Sequence, residues 1–383
     1  MPVEDNNTAC TPPSTAEDRM RTLREQIDTL DQEILALLNK RAACSKEVGA
    51  VKAGAQDLIF KPFREKDVLD KLVQANQGLA GPLPESHLKA IYREIFSSSR
   101  SLQRPQQVAY LGPEGTFSYF AGQQYLGHSV DFTPMHDLQA VFHAVHSREC
   151  ELGIVPLENS LQGTVGQSLD LFLRYEVFIQ AELSSRISHC LLGTVEDAAR
   201  VEAVYSHPQP LAQCGDWLRA RLPKATFIPT ESTAAAARMV AEMGAAGERV
   251  AAIGHAALAE RHGLHILARS IEDLPDNWTR FVIIGASPVK QETRDKTSML
   301  FTLPDKAGSL VRVLMVLSGL GINMKKLESR PLRGERWQYV FFVDVEADLQ
   351  EASYRGALET MREHCHTLRI LGSYPQGPYL EAM

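Results

Sequence analysis

An apolar stripe near the N-terminus constrains this chain more than any other feature. Between Arg19 and Lys52 the residues Leu23, Ile27, Leu30, Ile34, Leu37, Leu38, Cys44, Val48 and Val51 recur mostly at steps of three and four, the period of one helix face. The spacing predicts one helix of about 30 residues, roughly 45 Å long. A second helical pattern opens after Pro62 and runs through Val68, Leu69 and Leu72 to the break QGLAGPLP. A third, from about Glu85 to Leu102, carries Leu88, Ile91, Ile95 and Phe96. Two shorter helices cannot cover so long a stripe, and a helix owes most of its stability to packing its apolar face. A partner chain is implied.

Cations interrupt the stripe. Arg41 falls seven residues after Ile34 and seven before Val48, and Lys52 lies eleven further on, at nearly the same angle around the helix. Arg24 flanks the stripe near its other end, and Arg64 opens the second helix. Singly, each could snorkel its charge into water. As a set facing an apolar surface they call for an anion between them, because bare buried charge is very costly.

The remaining composition narrows the class. With 383 residues, 44% of them hydrophobic, the chain can fill two or three domain cores. A net charge of −7, with neither sign in long blocks, argues against a nucleic-acid binder. Six scattered cysteines without a C-x-x-C pair read as free thiols of a reducing, cytoplasmic setting. No apolar run reaches the ~20 residues of a membrane span. Residues 1–18 (MPVEDNNTACTPPSTAED) lack the apolar core of a signal peptide and read as a disordered tail.

After the polar break QRPQQ the rhythm changes. Strand-like runs VAYL, GIVP, HCLLG, AVYS, ATFIP, VAAIG and FVIIG alternate with helical patterns across residues 105–286. That alternation predicts an α/β domain with a mainly parallel sheet, large enough for two lobes. A polar linker, 287–296, follows. Residues 297–383 then read strand, helix, strand, strand, helix, strand, the βαββαβ order.

Several short clusters could carry chemistry. GPEGTFS (112–118) opens a helix, aiming backbone N–H groups and the Thr116 and Ser118 hydroxyls toward an anion; an ordinary glycine–proline turn reads the same way. No G-K-[ST] follows, so it is not a nucleotide loop. PLENSLQGTV, SHPQPLAQC and TESTAAAA are rich in small donors, and Ser232 is placed to cap an alanine-rich helix. In NWTRF (277–281), strand alternation sends Thr279 and Phe281 to one face and Arg280 to the other. His143 with His146, and His364 with His366, lack the further ligands of a metal site.

These stretches resemble three known families. LREQIDTLDQEILALLNKR…VGAVK…REKDVL…SSSRSLQ resembles the helical chorismate mutases over residues 19–104. The resemblance implies an all-α intertwined homodimer, or a higher homo-oligomer, with Arg24, Arg41, Lys52, Lys61, Arg64, Glu65, Ser99 and Gln103 contacting chorismate. Lys61 stands where some relatives are acidic. Lys52 and Gln103 would meet the breaking ether oxygen. Where relatives carry Glu at that last position a proton is needed, and Gln103 removes the requirement. The clusters from GPEGTFS to NWTRF resemble the prephenate dehydratases, implying a cleft between two lobes. Carried over residue by residue, catalytic roles fall on Glu158, Asn159, Ser206, Gln213, Glu231 and Thr279. Thr279 would donate to the hydroxyl that departs as prephenate loses carbon dioxide. DKAGSLVRVL and LESRP resemble the ACT domain, implying inhibition by L-phenylalanine through Gly308, Ser309, Leu310, Val311, Glu328, Ser329, Arg330 and Pro331; the family usually has alanine where Ser309 stands. Neither implied reaction needs a metal, flavin or nucleotide cofactor. Arogenate dehydratase activity, or a non-catalytic amino-acid sensor, remain alternatives to the bifunctional reading.

Overall fold

The computed structural model describes residues 16–55, 59–79, 81–288, 295–332 and 338–382. The stripe forms one helix, α1, longer than its apolar period predicts: Ala16–Ala55, 40 residues, about 60 Å. Glu17 and Asp18 in its first turn and Lys52 in its last complement the helix dipole, which favours extension into residues assigned to the tail. Positions 1–15 of that tail lie outside the described residues, as do 289–294 of the predicted linker. Along α1, Ile27, Leu30, Ile34 and Leu37 are each more than half exposed. Internal contacts divide the chain after residue 57, inside the helical segment rather than at its end.

The second unit begins with the hairpin of α2 (Pro62–Gly78) and α3 (Glu85–Gln103). Pro62 opens α2 where its missing N–H leaves nothing unpaired. The hairpin docks on the α/β region through a polar seam. Buried Arg100 donates from Nη1 to both Glu65 carboxylate oxygens, at 2.5 and 2.6 Å, and from Nη2 to the Leu126 carbonyl. Ser97 accepts from the Ser129 N–H, and Arg93 donates to the Gln124 carbonyl.

The α/β region forms two lobes. The first is built from β1 (Gln107–Leu111), α4 (Phe117–Leu126), β2 (Asp131–Met135), α5 (Leu138–His146), β3 (Leu152–Asn159), β4 (Gly163–Thr164), α6 (Gly166–Arg174) and β5 (Phe178–Arg186). The chain then crosses at 187–189 into the second lobe. There lie β6 (Cys190–Gly193), β7 (Ala203–Ser206), α7 (Pro208–Gln213), α8 (Gly215–Arg221), β8 (Thr226–Pro229), α9 (Thr233–Ala245), β9 (Val250–Gly254), α10 (Ala257–His262) and β10 (His265–Ala268). It returns over 269–277 to β11 (Trp278–Gly285), which inserts between β3 and β5, antiparallel to both. The sheets are therefore mixed rather than mainly parallel. In the first lobe β1 pairs parallel with β2 and β3. In the second, β7 pairs parallel with β8 and β9, while β6 runs antiparallel to β9 and β10. Ser232 caps α9 as the sequence predicts, accepting from Ala235 N–H at 3.0 Å.

The last module follows the βαββαβ order: β12 (Lys296–Thr302), α11 (Ser309–Gly319), β13 (Met324–Pro331), β14 (Tyr339–Val345), α12 (Arg355–His364) and β15 (Thr367–Tyr374), in an antiparallel sheet ordered β13-β14-β12-β15. The chain does not end there. β16 (Tyr379–Leu380) returns to the first-lobe sheet and pairs with β5.

Candidate active sites

Strand β11 brings Thr279 directly opposite Asn159 of β3, 120 residues away in sequence. The Asn159 amide cannot be turned over. Its Oδ1 accepts from the Leu161 and Gln162 N–H groups at 3.1 and 3.0 Å, so Nδ2 faces the other way. That nitrogen donates to Thr279 Oγ1 (3.0 Å) and Asn277 Oδ1 (2.7 Å). The Thr279 oxygen is thus an acceptor toward the protein, and its O–H donates to nothing among the described residues. Thr279 is 9% exposed.

The two crossings between lobes supply the neighbouring groups. His189 Nε2 lies 2.8 Å from Gln213 Oε1, and the His189 N–H donates to Glu272. Asp273 accepts from the Asp216 and Trp217 N–H groups, and its own N–H meets the Gln213 carbonyl, fixing the end of α7. Phe117, from the predicted GPEGTFS cluster, packs edge-on against both His189 and His255. The lobes also meet through Gln209 with Gln162 at 2.7 Å and Arg261 with Glu114 at 2.6 Å. Gly115 has φ +92, and a Cβ there would sit 2.7 Å from Leu258 of α10, so the turn needs glycine for both reasons. Burial holds the His189 imidazole below its ordinary value and pushes His255 down to about 4, so both are neutral around pH 7.

Other expected dehydratase residues are placed differently. Ser206 is fully buried, with its hydroxyl donated to the Ile253 carbonyl, which ties β7 to β9. Glu231 is exposed on the turn before α9. Thr116 donates to the Leu111 carbonyl, and Ser118 is buried on α4. Glu158 faces away from Asn159 and meets Lys326 of the last module at 3.0 Å. Arg280, alternating with Thr279, points to that same junction. Its guanidinium contacts Glu182 (2.7 Å), Asp344 (2.6 Å) and Tyr374 (3.0 Å), with Lys296 also on Glu182 at 2.9 Å. Burial alone would raise the Asp344 carboxyl, but Arg280 and Lys296 outweigh it and hold it below the usual carboxylate value.

Among the expected mutase residues, Arg24 and Arg64 are exposed and Arg41, Lys52 and Lys61 half-buried. Glu65 is engaged by Arg100, a partner that sequence reasoning missed. Ser99 donates to the Ile95 carbonyl; Gln103 donates to the Ser99 carbonyl and leaves its own Oε1 buried without a partner among the described residues. The expected sensor residues divide. Gly308, at φ +79, caps α11, with Ser309 buried, Leu310 half-buried and Val311 exposed. On β13 Ser329 and Pro331 face outward. Glu328 meets Thr164, and Arg330 meets Asp170, both in the first lobe. No cluster of three potential metal ligands occurs among the described residues.

Three family models match in the order that this architecture suggests: chorismate mutase type II over residues 23–104, prephenate dehydratase over 108–289 and the ACT domain over 297–359. The fold and sites thus define a two-activity enzyme, an isomerase and a lyase in one chain, with an ACT module attached. The bifunctional chorismate mutase/prephenate dehydratase of Aquifex aeolicus is 40% identical over 94% of this chain and 99% of its own. This chain belongs to the bifunctional chorismate mutase/prephenate dehydratase family. Among solved structures, the prephenate dehydratase from Arthrobacter aurescens in complex with L-Phe matches with TM-score 0.64 and 29% identity, covering 70% of this chain and 90% of its own. GqqA, described as a novel type of quorum quenching acylase, matches with TM-score 0.63 and 31% identity over 71% of this chain and 98% of its own. Since that fold carries more than one named activity, the roles of individual residues rest on site geometry.

Proposed function

We propose that dehydration is driven at Thr279 by its uncommitted O–H, the observation that carries this reading. Prephenate loses its ring carboxylate as carbon dioxide, and that electron pair moves through the ring as the hydroxyl leaves. Gain of aromaticity supplies the drive, so the protein need only stabilise charge arriving on the departing oxygen. Asn159 holds the threonine oxygen, leaving its O–H to donate outward, and Gln213, which meets His189, orients the substrate. Upstream, Arg24, Arg41, Lys52 and Arg64 grip the carboxylates of chorismate in its compact conformer, and Lys52 and Gln103 donate to the ether oxygen. The exposed stripe of α1 supports assembly with a second copy of the chain, because more than half of Ile27, Leu30, Ile34 and Leu37 is otherwise in water. L-Phenylalanine acts at the ACT module through residues 308–311 and 328–331. The placement of Glu328 and Arg330 against the first lobe gives a bound ligand a mechanical path to β4 and α6. The setting is cytoplasmic.

The test supplies chorismate to purified protein while prephenate and phenylpyruvate are followed separately, with and without L-phenylalanine. Both products should appear in turn, and the amino acid should slow the second. No turnover of either acid would leave only a sensor, and turnover of the aminated analogue alone would reassign the lyase to arogenate.

A further inference from the structure

Seven buried side-chain polar atoms lack a partner among the described residues, and three of them, Asn277 Nδ2, His189 Nδ1 and Gln213 Nε2, lie at the lobe crossings or the end of α7. Unpaired buried polar groups are costly and rare, so two amide donors and an imidazole nitrogen left this way mark a place completed by something else. Asn277 is the sharpest case. It is 1% exposed, and its amide orientation is fixed by a chain of donors. The Leu161 and Gln162 N–H groups set Asn159 Oδ1; Asn159 Nδ2 then sets Asn277 Oδ1. In that orientation the Asn277 NH2 group meets no acceptor among the described residues. The same Asn159 nitrogen holds Thr279 Oγ1, so two uncommitted donors, the Thr279 O–H and the Asn277 N–H, hang from one amide.

We infer that Asn277 is a second catalytic donor, sharing with Thr279 the oxygen that leaves the substrate; this rests on the dehydratase reading above. In the step itself the bond from the ring to its carboxylate breaks and carbon dioxide departs. The electron pair passes through the diene, and the C–O bond breaks with its pair on oxygen. Prephenate dianion becomes phenylpyruvate anion, carbon dioxide and hydroxide, and the hydroxide takes a proton from solvent. Two donors converging on that oxygen form a hole for a hydroxide rather than for a carbonyl. Neither need surrender its proton, which suits a threonine and an amide, neither of them an acid near neutral pH.

The test is Asn277→Asp, with Asn277→Ala beside it, in the full chain. Aspartate keeps an oxygen for Asn159 to donate to and puts an acceptor where the second N–H stood. At pH 8 dehydratase kcat should fall about 100-fold, the size of one lost donor of this kind, with the mutase rate unchanged as the sign that the chain is still folded. As pH is lowered and the new carboxyl gains its proton, an O–H replaces the missing N–H. The variant should then recover relative to the parent, by up to about tenfold per pH unit, after subtraction of the enzyme-free rate. Asn277→Ala should be slow at every pH. If both variants stay within about threefold of the parent throughout, a water pairs Asn277 and the inference falls while the dehydratase reading stands. Loss without recovery at low pH would make Asn277 a structural residue only and would also overturn it. Failure of the parent protein to convert prephenate removes both.

Discussion

Replacing Arg280 by methionine keeps the bulk of the side chain and deletes the charge that joins β11 to the ACT module. Its partners Glu182 and Asp344 are 8% and 7% exposed at their side chains. Removing one member of such a buried set costs about 3–5 kcal/mol, because the remaining charges stay buried. Lys296 still reaches Glu182 at 2.9 Å and Asp344 at 3.7 Å, which argues for the lower end, about 3 kcal/mol. At about 2–4 °C per kcal/mol for domains of this size, the melting temperature should drop by about 6–12 °C. The assay is thermal unfolding followed by circular dichroism between pH 8 and pH 3. Asp344 has its folded value depressed, so its contribution is full above the unfolded value near 3.9 and lost as pH falls through the folded one. The gap between Arg280→Met and the parent should therefore hold from pH 8 to about 5 and narrow below about 4. A drop smaller than about 2 °C at pH 7 would refute the claim that this network carries the junction.

Gln103→Glu should give the mutase a dependence that the parent lacks, its rate falling as pH rises and the new carboxyl ionises; steady-state rates from pH 5 to 9 would reveal it. Charging the α1 stripe with Leu30→Glu and Ile34→Glu should convert the assembly to monomers on sedimentation and abolish the mutase with it. An active, unchanged oligomer would show that the stripe is covered by something else.

The helices were legible because their apolar residues keep a period, and α11 and the strands of the last module because each is bounded by glycine or a polar turn. Strand β5 was not. Its Glu182 faces the ACT junction, where it meets Arg280 and Lys296, and its Gln180 donates to the Ser287 carbonyl, so the apolar alternation that marks a strand is broken by residues making those contacts. The parallel sheet was misjudged for a topological reason: β11 comes back after a whole lobe and enters between β3 and β5, a pairing that no local pattern encodes. Thr279 was visible through resemblance, but its partner was not deducible from spacing. Asn277 stood inside NWTRF without a signal of its own. What distinguishes it is the orientation of an amide, which exists only once Asn159 is in place.

The central proposal, that one chain performs two consecutive reactions and that the second needs the Thr279 hydroxyl on β11, is tested most directly by Thr279→Val supplied with chorismate. Valine keeps the branched shape and removes the donor, together with the oxygen that accepts from Asn159 Nδ2, which keeps Asn277 Oδ1 as a partner. Chorismate should disappear at the parent rate and prephenate should accumulate, with phenylpyruvate forming at least about 100-fold more slowly. Phenylpyruvate released at a rate close to the parent's, or loss of the mutase alongside the dehydratase in a folded protein, would contradict the account.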